Sequence, residues 1–98
     1  MKAYVIANID VTNPAGYEDN KEGAAASIKQ YGGRYIARGG RTEVLEGDVN
    51  PKRIALIEFP DAESARRWYG SPEYQAVLPR RLQNSIGNLV LVEGLPDQ

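Results

Sequence analysis

The first residue in this chain equipped for chemistry is Glu58, a carboxylate in apolar company. It lies in the run R-I-A-L-I-E-F-P, residues 53–60, with Ile57 and Phe59 beside it and Leu56 two positions back. Burying such a carboxylate is costly unless it is paired. If Arg34 and Arg38 share its side of a sheet, Glu58 is a candidate general base and Arg38 a candidate anion stabiliser. The same residues equally form a structural ion pair across strands, because such pairs also perturb acidity.

Three further groups carry side chains suited to a ligand. Trp68, Tyr69 and Tyr74 flank Gly70-Ser71-Pro72. They can wall a slot for a flat molecule, or Trp68 can simply anchor its helix, spaced as it is from Ala62 and Ala65. Arg80-Arg81 follows Pro79. A guanidinium fork there suits an anionic ligand, and suits an ordinary exposed surface equally well. Tyr4, Asn8 and Asp10 share one side of the first strand. They can orient a polar ligand or bond to a second subunit. The candidate set is therefore Glu58 and Arg38 for catalysis, with Tyr4, Asn8, Arg34, Trp68, Tyr74 and Arg80 for binding.

Composition narrows the chemistry. The 98 residues contain no Cys and no His. Disulfides, thiolate nucleophiles, His-based triads and the usual zinc, copper and haem ligands are excluded. Proton transfer falls to Asp, Glu, Lys or Tyr, and neither a metal nor a cofactor is expected. Net charge is -1 and the basic residues are scattered, so no nucleic-acid footprint is present. R-G-G-R (38–41) lacks the spacing of a phosphate loop, and L-E-G-D (45–48) lacks that of a calcium loop. Both read as turns or bulges. No apolar run approaches membrane-spanning length, and a cytoplasmic location is the default.

The elements that must position these groups follow from pattern. Length gives one domain, residues 1–98, with a modest core. Lys2 to Asp10 reads as a strand. Ala3, Val5, Ala7 and Ile9 form its apolar face, while Tyr4, Ile6, Asn8 and Asp10 form a mixed one. Asn13-Pro14 opens a helix, with the Asn side chain expected to accept the free amides, and Gly32-Gly33 closes it. Gly23 weakens its middle. Arg34 to Gly47 reads as one long bent strand with a bulge at Gly39-Gly40. Arg53 to Phe59 is the third strand, with Ala55, Ile57 and Phe59 on the covered face. Asp61 caps a helix that ends at Gly70, Ser71-Pro72 starts another, and Pro79 should break or kink it. Ile86 to Glu93 is the last strand.

That order predicts an α+β, ferredoxin-like βαββαβ antiparallel sheet with helices on one face. The open face would carry Tyr4, Ile6, Ile36 and Leu56, too apolar to stay wet. A homodimer through that face is the economical solution, with a ligand pocket between sheet and partner.

The segments Y-G-G-R-Y, R-G-G, L-E-G, I-E-F-P, A-R-R-W-Y, S-P-E-Y-Q and V-E-G occur in order across nearly the whole chain. Together they resemble the family catalogued as domain of unknown function 1330. The resemblance implies a dimeric α+β barrel built on a ferredoxin-like monomer, and no activity. The wider superfamily includes antibiotic-biosynthesis-type monooxygenases, muconolactone isomerases and chlorite-dismutase-like proteins. Haem-dependent members are poor models without His. Cofactor-free monooxygenases, which use Trp, Asn, Tyr and Arg near an aromatic substrate, match the residue types better. The expected function is a cofactor-independent enzyme acting on a hydrophobic or aromatic metabolite. The alternatives are a small-ligand-binding or sensing module and a purely structural dimer.

Overall fold

A computed structural model describes residues 1–96, apart from the side chains of Asp19 and Asn20. The elements are β1 (Ala3–Val11), α1 (Pro14–Gln30), β2 (Arg34–Arg38), β3 (Arg53–Phe59), α2 (Ala62–Tyr69), α3 (Pro72–Asn84) and β4 (Ser85–Glu93). The strands form one antiparallel sheet in the order β2-β3-β1-β4. This is the ferredoxin-like order, with the second helical segment divided into α2 and α3. Among the described residues, no helix is long and apolar enough to cross a membrane.

The strand parity read from sequence holds in β1 and β3. Ala3, Val5, Ala7, Ile9, Ile57 and Phe59 are buried under the helices. The register places Tyr4 opposite Glu58, Ile6 opposite Leu56, and Asn8 opposite Ile54 on the other face. There Ile6 is 39% exposed, and its β4 neighbour Val90 is 55% exposed.

Local signals set the helix ends. The Asp61 side chain accepts from the Ser64 amide at 2.7 Å, and Ser71 Oγ accepts from the Tyr74 amide at 3.1 Å. Each satisfies a first-turn amide that the helix itself leaves unbonded. Gly32, at φ +85°, takes the left-handed turn after α1. Its amide bonds Lys29 O and that of Gly33 bonds Ile28 O, closing the last turn. Gly23 has a positive reason to be glycine. A Cβ there would meet Val77 Cγ1 at 2.6 Å, so its absence lets α1 and α3 approach closely.

Three local expectations are corrected. Asn13 makes no side-chain cap. Its Nδ2 donates instead to Asn84 Oδ1 at 3.0 Å, tying the start of α1 to the end of α3. Pro79 lies inside α3 without ending it. Proline removes one helical bond, and the packing of this helix on α1 outweighs that loss. The bulge falls at Ile36, between Tyr35 and Ala37, rather than at Gly39. β2 stops at Arg38, and residues 39–52 lie outside any helix or strand. The Gly39 amide still reaches Ile54 O at 2.8 Å, a last bond to β3.

Trp68 anchors the core. It is 1% exposed, with its ring centroid 5.5 Å from Phe59 and 4.3 Å from Tyr74. Its Nε1 donates to Ser27 Oγ at 3.0 Å, and that hydroxyl donates to Ala24 O at 2.7 Å. The Ser27→Ala variant leaves the buried indole N–H without its acceptor. It should lose about 1–3 kcal/mol in urea unfolding; an unchanged midpoint would show that this bond does not hold the indole.

Candidate functional site

α3 presents Tyr74, Leu78 and Arg81 along one face at i, i+4 and i+7. All three are buried, Arg81 to within 9% of full coverage. Arg81 Nε has no hydrogen-bond partner. Among the described residues no carboxylate pairs with this guanidinium.

Two cavities meet at Arg81, the inner one on the helix-covered side of the sheet and the outer one at its β4 edge, where the lining also takes in Asn88 and Val90. The outer one is a cleft of about 570 Å³ between β4 and the helices α2 and α3. Its walls include Trp68, Tyr69, Leu89 and Leu91, with Arg66 and Asn88 among the polar groups. The inner one holds about 60 Å³ beneath α1 and α3, and its lining includes Tyr17, Tyr35, Arg53, Ile57 and Tyr74. Trp68, Arg81 and Leu89 line both and divide one from the other. Neither lining includes an Asp or a Glu. The sequence placed a pocket between the open face and a partner subunit; these cavities lie within one chain, beneath the helices and at the β4 edge.

Two phenols, the buried Tyr74 and the half-buried Tyr35, keep their protons at neutral pH. Burial pushes the Tyr74 hydroxyl above the ordinary tyrosine range, while Arg81 pulls against it without cancelling the effect. Burial also raises Tyr35, against the pull of Arg38. The guanidinium of Arg38 lies over the Tyr35 ring, 4.6 Å from its centroid.

The structure separates the sequence-derived candidates into two groups. Tyr4, Asn8, Arg34 and Glu58 belong to the open face. There Glu58 Oε1 takes Arg34 Nε at 3.1 Å and lies 3.7 Å from Lys2 Nζ, the ion-pair arrangement. Asn8 Oδ1 accepts from the Lys52 amide at 2.9 Å and holds the end of the 39–52 segment. Trp68 and Tyr74 belong to the cavities. Arg38 does not join Glu58. The bulge at Ile36 turns Arg38 to the side of its partner Ala55, the helix side of the sheet, where its exposed guanidinium covers Tyr35. Arg80 is exposed while its neighbour Arg81 is buried, so the inward guanidinium is the second of the pair.

Sequence reasoning passed over Tyr35, Arg53 and, in its final choice, Arg81. Arg53 has the parity of Ala55 and Ile57, which marks it as facing the helices. Arg81 completes the spacing begun by Tyr74 and Leu78. Tyr35 was hidden because its facing depends on where the bulge lies.

This chain belongs to the family described as Domain of unknown function (DUF1330), whose profile matches residues 2–95. No curated protein matches it at a significant level. Among solved structures it is similar to RPA0582, a protein of unknown function from Rhodopseudomonas palustris, with TM-score 0.77 and 14% identity over 98% of this chain and 84% of that one. It is also similar to SnoaB, a cofactor-independent oxygenase from Streptomyces nogalater, with TM-score 0.68 and 16% identity over 98% and 95% of the two chains. A third is a conserved protein of unknown function from Bacteroides thetaiotaomicron, described as a possible oxidoreductase, with TM-score 0.62 and 15% identity over 95% and 97%. At these identities the likeness establishes the fold.

A phenol whose folded pKa exceeds its unfolded value adds stability that is complete below the unfolded value, about 10, and is lost as pH rises from there through the raised folded value. Melting temperature should therefore fall above pH 10, and less steeply in Tyr74→Phe. Equal slopes in wild type and variant would show that Tyr74 titrates alike folded and unfolded.

Proposed function

Starting from a family without an assigned activity, we propose that this protein is a cofactor-independent enzyme acting on a hydrophobic or aromatic metabolite bound in the cleft between β4, α2 and α3. The carrying observation is the meeting of Trp68 and Arg81 at the wall of that cleft, with the Arg81 Nε buried and unpartnered and Tyr74 stacked behind Trp68 on the side of the inner cavity. Its volume falls within the roughly 300–1,000 Å³ of small-molecule sites. Rings and aliphatics would hold a flat substrate. The Arg81 cation would stabilise negative charge developing on a substrate oxygen. The cofactor-independent oxygenase with the same fold supports the reading by analogy alone. Glu58, on the opposite face of the sheet, takes no step in this reading.

The runner-up is a ligand-binding module that uses the same cleft without chemistry. Both are tested by incubating the protein with a panel of polycyclic hydroxyaromatics, following binding by calorimetry and products and oxygen uptake by mass spectrometry and electrode. Turnover that falls about 100-fold or more in Arg81→Gln would support the enzyme. Binding without product would favour the module, and no binding would remove both. Equal turnover by Glu58→Gln would exclude that carboxylate as the base.

The open face supports a second proposal, a homodimer. Ile6 pairs with Val90 and Tyr4 with Val92, giving an apolar patch on the adjacent strands β1 and β4, and Ile86, opposite Asp10, lies beyond the polar pair Asn8–Asn88. Val92 is 43% and Ile86 72% exposed. A second copy laid on this patch would remove it from water. Sedimentation at micromolar concentration should report twice the 10.8 kDa chain mass, and Val90→Glu should halve it. A wild-type monomer would contradict the proposal.

A further inference from the structure

A buried cation without a counter-charge needs a physical explanation. Taking a guanidinium out of water costs several kcal/mol even after relaxation, unless an anion or a full set of acceptors replaces the lost hydration. Arg81 lacks both. It is nine-tenths buried, and its Nε has no acceptor. Tyr74 interacts with Arg81, but its hydroxyl keeps its proton at neutral pH because burial outweighs the pull of Arg81. Tyr74 therefore offers a dipole and no charge.

The surroundings add positive potential. Arg53 lines the inner cavity and Arg66 the outer one. Arg66 has an exposed and distant partner, Glu93, at 4.0 Å. No carboxylate lines either cavity, so the charged groups in their walls are all guanidinium groups. In a low-dielectric wall such groups attract an anion. Apart from Asn88, the rest of the outer cleft is largely apolar, with Trp68, Tyr69, Leu89 and Leu91 in its walls. A bare inorganic anion would leave that surface wet. An anionic group attached to a flat apolar frame would use both parts.

We infer that Arg81 is an anion-binding residue of the cleft and that the ligand is an aromatic carboxylate, its frame against Trp68 and its carboxylate on the Arg81 guanidinium. The inference rests on the cleft being the ligand site. It adds a charge requirement which that reading does not contain. A planar fork suits a carboxylate, and charge-assisted bonds are about twice as strong as neutral ones.

The test compares three acids with their neutral amides: benzoate, 2-naphthoate and anthracene-2-carboxylate. Each pair has one frame and differs in charge. Calorimetric titration of the full chain should give about tenfold or greater preference for the best-fitting acid over its amide, as expected when a buried charged partner is gained. Arg81→Gln should abolish the preference, and Arg81→Lys should keep part of it. If acid and amide bind equally to wild type, or if the preference survives in Arg81→Gln, the anion site is wrong while the cleft stands. If no member of any pair binds, the cleft reading fails and the anion site with it. Thermal melting of Arg81→Gln provides the second readout. A midpoint unchanged or raised is expected, since an uncompensated charge has been removed. A large fall would mean that the guanidinium serves the fold, and would overturn the proposal.

Discussion

The hydrogen bond from Trp68 to Ser27 is the constraint on which the rest of the structure depends. It fixes an indole from α2 to α1, while the same ring lies against Phe59 of β3 and Tyr74 of α3. Four elements are thereby held to one side chain. Without its acceptor, the indole N–H would be a buried polar group at the centre of the core, and the ring would be free to turn. Because the ring is fixed, one of its edges can serve as a wall between two cavities. Core anchor and pocket wall are the two roles that the sequence offers for this residue, and they are compatible.

Arg81 contrasts with that well-satisfied centre. Its helical spacing from Tyr74 and Leu78 carries it inward, and no acidic residue accompanies it. A fold selected only for stability would gain from an apolar residue there, since exchanging buried charges for well-packed apolar groups is often neutral or stabilising. Departures of this kind are where local rules give way to a site. The proposed function takes its direction from this residue more than from any likeness of fold.

Much of the architecture was legible in the chain because it rests on short-range rules. Alternation assigned the faces of β1 and β3. Asp61 and Ser71 marked helix starts through hydroxyl and carboxylate acceptors, and Gly32 marked a stop through a left-handed turn. The failures have a common physical origin in tertiary context. Pro79 is tolerated because α1 packs on its helix. Asn13 turns from its own helix to Asn84, a partner 71 residues away. The bulge at Ile36 has no glycine to announce it, and its misplacement put Arg38 on the wrong face and hid Tyr35. Parity errors of this kind propagate, since a one-residue slip moves every later side chain to the other side of the sheet. The candidate site was therefore half legible. Trp68 and Tyr74 were read as a set, but the guanidinium was assigned to the exposed member of its pair.

The central claim is that ligand enters beneath the helices, beside Trp68, rather than over the open sheet face. The chain has a single Trp, so its indole N–H gives one resolved nitrogen-correlated NMR signal. Titration with an aromatic carboxylate should shift that signal together with the Arg81 Nε–H and the Leu89 amide, leaving Tyr4, Ile6 and Leu56 amides in place. Shifts confined to Tyr4, Ile6 and Leu56, with the indole unmoved, would contradict the account.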